Sequence, residues 1–381
     1  MKFKGYSDET LLAQLKGRFS VSYRIAADEQ TALEMAKSIC VEQTVEFPAA
    51  HIECDAIHSD IIGRLEQFEA CEGGYRALIS YSDQSATEEF AQFFNVVFGN
   101  SSLLPGITVE RINLSEELLE WFPGPKFGVA GLRERLGAYD RPLAFTALKP
   151  MGLPTVALAD EAYHCAKGGV DLIKDDHGLM NQTFSDYKDR VKAVCEAVRQ
   201  GNEESGHHTA YVPNLSGRCD ALMDRIRYAE DCGAGGIMLA PGLVGYDTMQ
   251  YAARNTVLPV VALPAMAGCL LDKGSGGFDC GCVLGQLPRL CGADITVFPN
   301  FGGRFSLSQA QCRSIMELCT EKVGDMKPIF PSPAGGMTFE KVPIMKEFYG
   351  NDVCLLMGGG LFTVTPDLIG NCEKFIEMLS K

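Results

Sequence analysis

No stretch of this chain is apolar for the roughly 20 residues that a membrane-spanning helix needs. Residues Met1–Gln14 are polar and mixed and lack the apolar core of a signal peptide, so a cytoplasmic location and no membrane partner are expected. Positive charge is in deficit: 34 Lys and Arg face 49 Asp and Glu, a formal net charge of −15. That argues against nucleic acid and anionic membrane surfaces as the main partner, and an anionic substrate would need a local positive site. The six histidines show no His-x-x-x-His pair, which argues against a histidine-rich zinc centre. Short tandem repeats and low-complexity tracts are also missing.

Cysteine, by contrast, is plentiful. There are 15, an odd number scattered along the whole chain. Many, such as Cys40, Cys165, Cys195, Cys291, Cys319 and Cys354, sit inside apolar patterns where a free thiol packs as a small hydrophobe. Cys280 and Cys282 form the one close spacing and lack the second pair that a structural zinc site requires.

With 381 residues the chain has room for two domains, or for one barrel and a smaller unit. Arg18–Ala26, Ala49–Ile57, Tyr75–Tyr81 and Ile107–Leu114 read as strands, with helices over Glu29–Cys40 and Ala86–Val96. This predicts an α+β domain with helices on one face of an antiparallel sheet. Phe122-Pro123-Gly124-Pro125 then marks a change of regime. From Arg141 onward strand and helix alternate, with strands near Leu143–Lys149, Val170–Lys174, Thr209–Pro213, Gly236–Ala240, Pro259–Leu263, Ile295–Phe298, Pro328–Pro331 and Val353–Met357. Eight βα units predict a parallel (β/α)8 barrel; periodicity alone leaves a doubly wound open sheet as the alternative. Either fold puts its chemistry at the C-terminal ends of the strands.

One strand end stands out, Gly169-Val170-Asp171-Leu172-Ile173-Lys174-Asp175-Asp176-His177. Side chains alternate along a strand, so Lys174 and Asp176 share a face. Closing a buried strand on such groups costs desolvation unless they pair or bind something. The first strand ends in Lys149-Pro150-Met151-Gly152, the third in Asn214, and the sixth in Asn300 with Gly302 and Gly303. Gly335 with Gly336 follows the seventh strand, and Gly358 with Gly359 the eighth. Glycines after those two strands let amide N–H groups approach an anion, although a tight turn also needs glycine.

These motifs resemble the RuBisCO large subunit, and more closely the RuBisCO-like proteins that do not fix carbon dioxide. The resemblance runs through Phe122-Pro-Gly-Pro-Lys-Phe-Gly128, Leu148-Lys-Pro150, Gly169–Asp176, Arg289-Leu-Cys-Gly-Ala-Asp294, Gly335-Gly336 and Gly358-Gly-Gly360. It implies an α/β protein: an N-terminal α+β (ferredoxin-like) domain over residues 1–125 and a C-terminal (β/α)8 TIM barrel over 126–381. It further implies a head-to-tail homodimer with shared active sites, to which Glu42 and Asn100 of one copy contribute in the other. By resemblance, Lys174 is the lysine that carbon dioxide converts to a carbamate, Asp176 is a metal-ligating carboxylate, and Mg2+ is the metal. A glutamate is the third ligand in RuBisCO; here the residue is His177, a softer donor less suited to magnesium. Some RuBisCO-like branches carry the same Lys-Asp-Asp-His.

Lys149 matches the first-strand lysine that transfers protons near the substrate carbonyl. A second lysine is replaced by Met151, and Ala262-Leu-Pro-Ala-Met-Ala267 lacks the fifth-strand histidine. Asn300-Phe-Gly-Gly-Arg304 stands where the carboxylase has its mobile lysine loop. Carboxylation is therefore not expected. The remaining groups suit enolisation or isomerisation of a phosphorylated ketose, with a 5-methylthioribulose 1-phosphate-type substrate of sulfur salvage fitting best. In that reading Lys149 is the base, and Lys174, Asp176 and His177 surround the metal. Gly335, Gly336, Gly358 and Gly359 bind phosphate, and Asn214 bonds substrate or metal water. Decarboxylation of a 3-oxo acid phosphate uses the same electron sink and stays open, as does a non-catalytic phosphate-ester-binding or regulatory role.

Overall fold

The computed structural model describes residues 17–305 and 307–381; the polar segment Met1–Gln14 lies outside them. Two compact units result. The first holds the described residues up to Pro123 together with Ala267–Leu287 and Gly324–Met326, and the second holds Gly124–Met266, Pro288–Val323 and Lys327–Lys381.

In the first unit, strands β1 (Arg18–Ile25), β2 (Arg64–Cys71), β3 (Gly74–Ser82) and β4 (Ile107–Asn113) form an antiparallel sheet in the order β4-β1-β3-β2. Alternation aims Phe19, Val21, Tyr23 and Ile25 into a dry core with helix Glu29–Glu42 and the aromatic Phe90, Phe93 and Phe122. Tyr23 and Tyr81 share a hydrogen bond of 2.8 Å, and the Tyr23 hydroxyl also reaches the Val97 carbonyl at 2.6 Å, so both hydroxyls are satisfied although buried.

Two local expectations fail here, and one strand was not foreseen. Ala49–Ile57 is not a strand: Ala49–His51 and Ile57–Ile61 are short helical turns with no buried residue, so the segment has no face to lay on a sheet. The edge strand β2 escaped sequence reading because none of its residues is fully buried and its apolar alternation is weak. Segment Ala267–Leu287, expected within the barrel, instead adds the short strand Gly277–Phe278 parallel to β4. Gly276 permits the approach, since a Cβ there would sit 2.7 Å from the Ile107 carbonyl oxygen.

The second unit is the (β/α)8 barrel. Its strands are β5 (Leu143–Ala147), β6 (Leu172–Lys174), β7 (Ala210–Val212), β8 (Ile237–Leu239), β9 (Val260–Ala262), β10 (Ile295–Pro299), β11 (Phe330–Ala334) and β12 (Cys354–Leu356). They pair in parallel in the orders β12-β5-β6-β7 and β11-β10-β9-β8, and a bridge from Asn214 to Met238 connects β7 with β8. Phe145, Leu172, Val212, Met238, Val261, Val297, Phe330 and Leu356 fill the interior as one apolar cluster.

Two of the family-like motifs turn out to be scaffold. Asp294 accepts the amides of Phe127 and Gly128 at 2.9 and 2.8 Å and that of Val260 at 2.9 Å, tying the barrel's entry turn to β9. Arg289, buried, donates to the Lys327, Leu318 and Glu321 carbonyls. All 15 cysteines are free, Cys280 and Cys282 both buried. Among the described residues no helix is long and apolar enough to cross a membrane.

Candidate active site

Strands β5 and β6 run side by side, with Ala147 opposite Lys174, and the Leu148 amide donates to the Lys174 carbonyl at 2.9 Å. That pairing brings the first two strand ends together. The Lys149 Nζ lies 2.7 Å from Asp176 Oδ2, joining two residues 27 positions apart. Asp176 Oδ1 accepts the His177 amide at 2.6 Å and lies 2.9 Å from the His177 Nδ1. The His177 ring is otherwise largely exposed, its side chain 72% accessible. Burial pushes the Asp176 carboxyl up, but the Lys149 ammonium, His177 and Lys174 outweigh it and hold it below the usual carboxylate range.

Lys174 is 4% exposed, and its ammonium donates to the Asp175 carbonyl at 2.9 Å. Burial lowers its pKa to about 8, Lys149 adds to that fall, and the charges of Asp176 and Asp175 oppose it. The expected alternation holds, for the Asp175 side chain serves a different cluster. It accepts the Tyr211 hydroxyl at 2.7 Å and the Asn214 amide at 2.9 Å, and it pairs with Arg190 at 3.3 Å. Neither Asp175 nor Arg190 is accessible to solvent. Asn214 is drawn into this scaffold: its side chain accepts the Ser216 amide and donates to the His177 carbonyl at 3.3 Å.

One of the glycine-rich ends lies beside Lys149. A Cβ on Gly358 would stand 3.1 Å from the Lys149 Cε, so this glycine makes room for the lysine stem. Gly360 packs against the Met337 carbonyl, and Gly303 against that of Gly335, at spacings no side chain would allow. Lys341 donates to the Gly302 and Gly336 carbonyls at 3.0 and 2.8 Å, clasping the loops after β10 and β11. Among the described residues the amides of Gly335, Gly336, Gly358 and Gly359 donate to no main-chain carbonyl, leaving four N–H groups available to an anion. Asn300 instead faces helix Val342–Tyr349, bonded to Tyr349 at 2.8 Å.

Glu42 and Asn100 meet within the first unit, the Asn100 amide donating to Glu42 at 3.0 Å. They line a polar cavity of about 430 Å3 with Gln43, Gln92 and Asn95.

Sequence reading missed Glu161, on helix Thr155–Lys167, whose carboxylate accepts the Lys149 amide at 3.2 Å. A signal was present: buried Leu158, Ala162 and Cys165 mark an apolar stripe, and Glu161 falls on it at helical spacing. Burial raises its pKa to about 7, against the pull of the Lys149 amide.

Among the described residues no group of three or more His, Cys, Asp and Glu is arranged to hold a metal ion. An oxygen-rich metal site at Asp176 would need a further oxygen donor, which a carbamate on Lys174 would supply. The amine suits that reaction: it is buried beside the carboxylate, and its lowered pKa increases the neutral form that attacks carbon dioxide.

The chain is similar to known proteins over most of its length. The family model of the ribulose bisphosphate carboxylase large chain, catalytic domain, matches residues 128–366. A 5-methylthioribulose-1-phosphate isomerase from Rhodospirillum rubrum is 38% identical over 368 residues, 95% of this chain and 96% of that protein. Ribulose bisphosphate carboxylase-like protein 1 from Rhodopseudomonas palustris is 36% identical over 360 residues, 94% of this chain and 96% of that one. A crystal structure of a Rubisco-like protein from Rhodopseudomonas palustris superposes with a TM-score of 0.87 at 37% identity, covering 96% of this chain and 98% of the other.

Proposed function

Because the chain belongs to the RuBisCO large-chain family as one of its RuBisCO-like proteins, we propose that it is a sulfur-salvage enzyme and not a carboxylase. Its reaction is enolisation or isomerisation of a phosphorylated ketose, a 5-methylthioribulose 1-phosphate-type compound. The observation that carries the reading is the Lys149–Asp176 contact at adjacent strand ends, beside a buried Lys174 that senses the charge of the same carboxylate.

Lys149, its side chain one-third exposed, is the group placed to take the proton alpha to the carbonyl. The C–H electron pair forms the new C=C bond, the carbonyl π pair moves onto oxygen, and the proton rests on the Lys149 Nζ against Asp176. Return of that proton to the neighbouring carbon completes an isomerisation; release after enolisation gives the other outcome. The free amides of Gly335, Gly336, Gly358 and Gly359 hold the phosphate and fix which carbon faces Lys149. The carbamate of Lys174 and the Asp176 carboxylate would hold Mg2+, with His177 orienting Asp176. When bound, Mg2+ supplies electrophilic stabilisation of negative charge on substrate oxygens. Glu42 and Asn100 of a second copy complete the site in a homodimer.

The test is proton NMR in D2O with Mg2+, bicarbonate and a panel of ketose 1-phosphates. Deuterium entering beside the carbonyl, and lost on Lys149→Ala, is the expected result. Ligands that bind without exchange would overturn proton abstraction and turn the search to decarboxylation of 3-oxo acid phosphates.

A further inference from the structure

Lys149 leaves β5 at the start of the loop Lys149–Leu153, where the sheet ladder has ended. Two main-chain contacts anchor that departure. The Leu148 amide is held by the Lys174 carbonyl, and the next amide, that of Lys149 itself, is held by the Glu161 side chain at 3.2 Å. Glu161 stands two turns into helix Thr155–Lys167, on the stripe that packs inward. No cationic side chain pairs with it among the described residues. A carboxylate held in such surroundings without a counter-charge costs free energy, and its one partner is the amide of the candidate base.

We infer that Glu161 is a positioning residue for the reaction: its carboxylate fixes the main chain of Lys149 so that the side chain runs past Gly358 to Asp176. Its meaning for catalysis rests on Lys149 being the base. The geometry explains why a side chain does this work. A helix that follows the strand can reach back across its own connecting loop to an amide just past the last ladder bond, that of Leu148 to the Lys174 carbonyl. Two fixed points then define Lys149, the amide at one end of the residue and the Nζ–Asp176 contact at the other. Losing the first leaves the second to a mobile stem. Misplacing a reacting group by about 1 Å can cost on the order of 100-fold in rate.

The experiment compares Glu161→Leu and Glu161→Gln with wild type in the full-length protein, with Mg2+ and bicarbonate present. Glutamine keeps an oxygen acceptor, and leucine keeps only the bulk. Hydrogen exchange of the peptide spanning residues 145–153, followed by mass spectrometry, reads the Lys149 amide without reference to any activity. We expect faster exchange of that peptide in Glu161→Leu. We also expect a kcat lower by about 10- to 100-fold with KM changed less than about twofold, and both restored in Glu161→Gln. Unchanged peptide exchange in Glu161→Leu overturns the inference. So does an unchanged kcat, or an equal loss in Glu161→Gln. If Glu161→Leu does not fold, Glu161→Ala replaces it and is read the same way. If wild type itself labels no ketose phosphate, the proposed function fails, while peptide exchange still decides whether Glu161 holds Lys149.

Discussion

Asp175 and Asp176 are neighbours in sequence and opposites in physics. On one side of the strand end, Asp175 meets the Arg190 guanidinium, a tyrosine hydroxyl and a backbone amide, all shielded from water. Every donor there finds an acceptor, and nothing is left over for a ligand. On the other side Asp176 faces two lysines, one buried and one half-open, and a mostly exposed histidine. Charge is unbalanced there and one member can move. A saturated buried cluster holds a fold together; an unsaturated one, reachable from solvent, can do chemistry.

Exchanging the two carboxylates for uncharged residues separates these roles. Asp176→Asn keeps the shape but gives up the charge that both lysines share, and turnover is expected to fall about 100-fold or more. Its thermal midpoint should move less than that of Asp175→Ala. The latter leaves the buried Arg190 without its counter-charge, with the Ser185 and Met180 carbonyls still as acceptors, a loss of about 3–5 kcal/mol, seen as a large drop in the melting temperature. Equal effects of the two substitutions on stability and on rate would dissolve the distinction between the sides.

A smaller effect concerns Lys174. An exposed lysine binds its proton up to a pKa of about 10.4, but burial brings this one to about 8. Below pH 8 the folded protein keeps a buried ammonium at a cost of about 3 kcal/mol. Between about 8 and 10.4 the unfolded chain holds a proton that the folded one has released, so stability rises with pH and the cost is relieved. Lys174→Met should therefore melt above wild type at pH 7 in buffer freed of carbon dioxide. The advantage should shrink as the pH passes 8 and vanish above about 10.4, with turnover lost throughout. Melting curves at several pH values check both the sign and the window.

How much of this was legible in the sequence follows from where each signal is stored. The barrel strands are short, largely buried and mostly apolar runs, and such runs stand out between glycines and polar helices. The sheet edge β2 buries nothing completely, so its pattern is faint, whereas exposed Ala49–Ile57 imitates alternation by chance. Lys174 and Asp176 could be placed on one face because strand alternation is a local rule. The partners of Asp175 could not, since Arg190, Tyr211 and Asn214 arrive from 15 to 39 residues away. Glu161 lay within reach: an acidic residue on an apolar helical stripe is a local anomaly, but its target is a tertiary fact.

Gly358 gives the smallest and sharpest test of how the open side is built. Its absent Cβ would lie 3.1 Å from the Lys149 Cε, tighter than ordinary carbon contact but against the flexible part of a side chain. The backbone there has φ −84°, outside the left-handed region. Gly358→Ala should then cost less than about 1 kcal/mol in stability, because the lysine stem can shift by a few tenths of an ångström. The shift is nonetheless in the candidate base, along the path from its anchored amide to Asp176. A modest fall in kcat, up to about tenfold, is expected with the fold intact, and it should vanish when Gly358→Ala is made in a Lys149→Ala background. Such non-additivity marks two positions acting through one contact. Additive losses would mean that Gly358 acts through the phosphate cradle instead, with KM rather than kcat carrying the change.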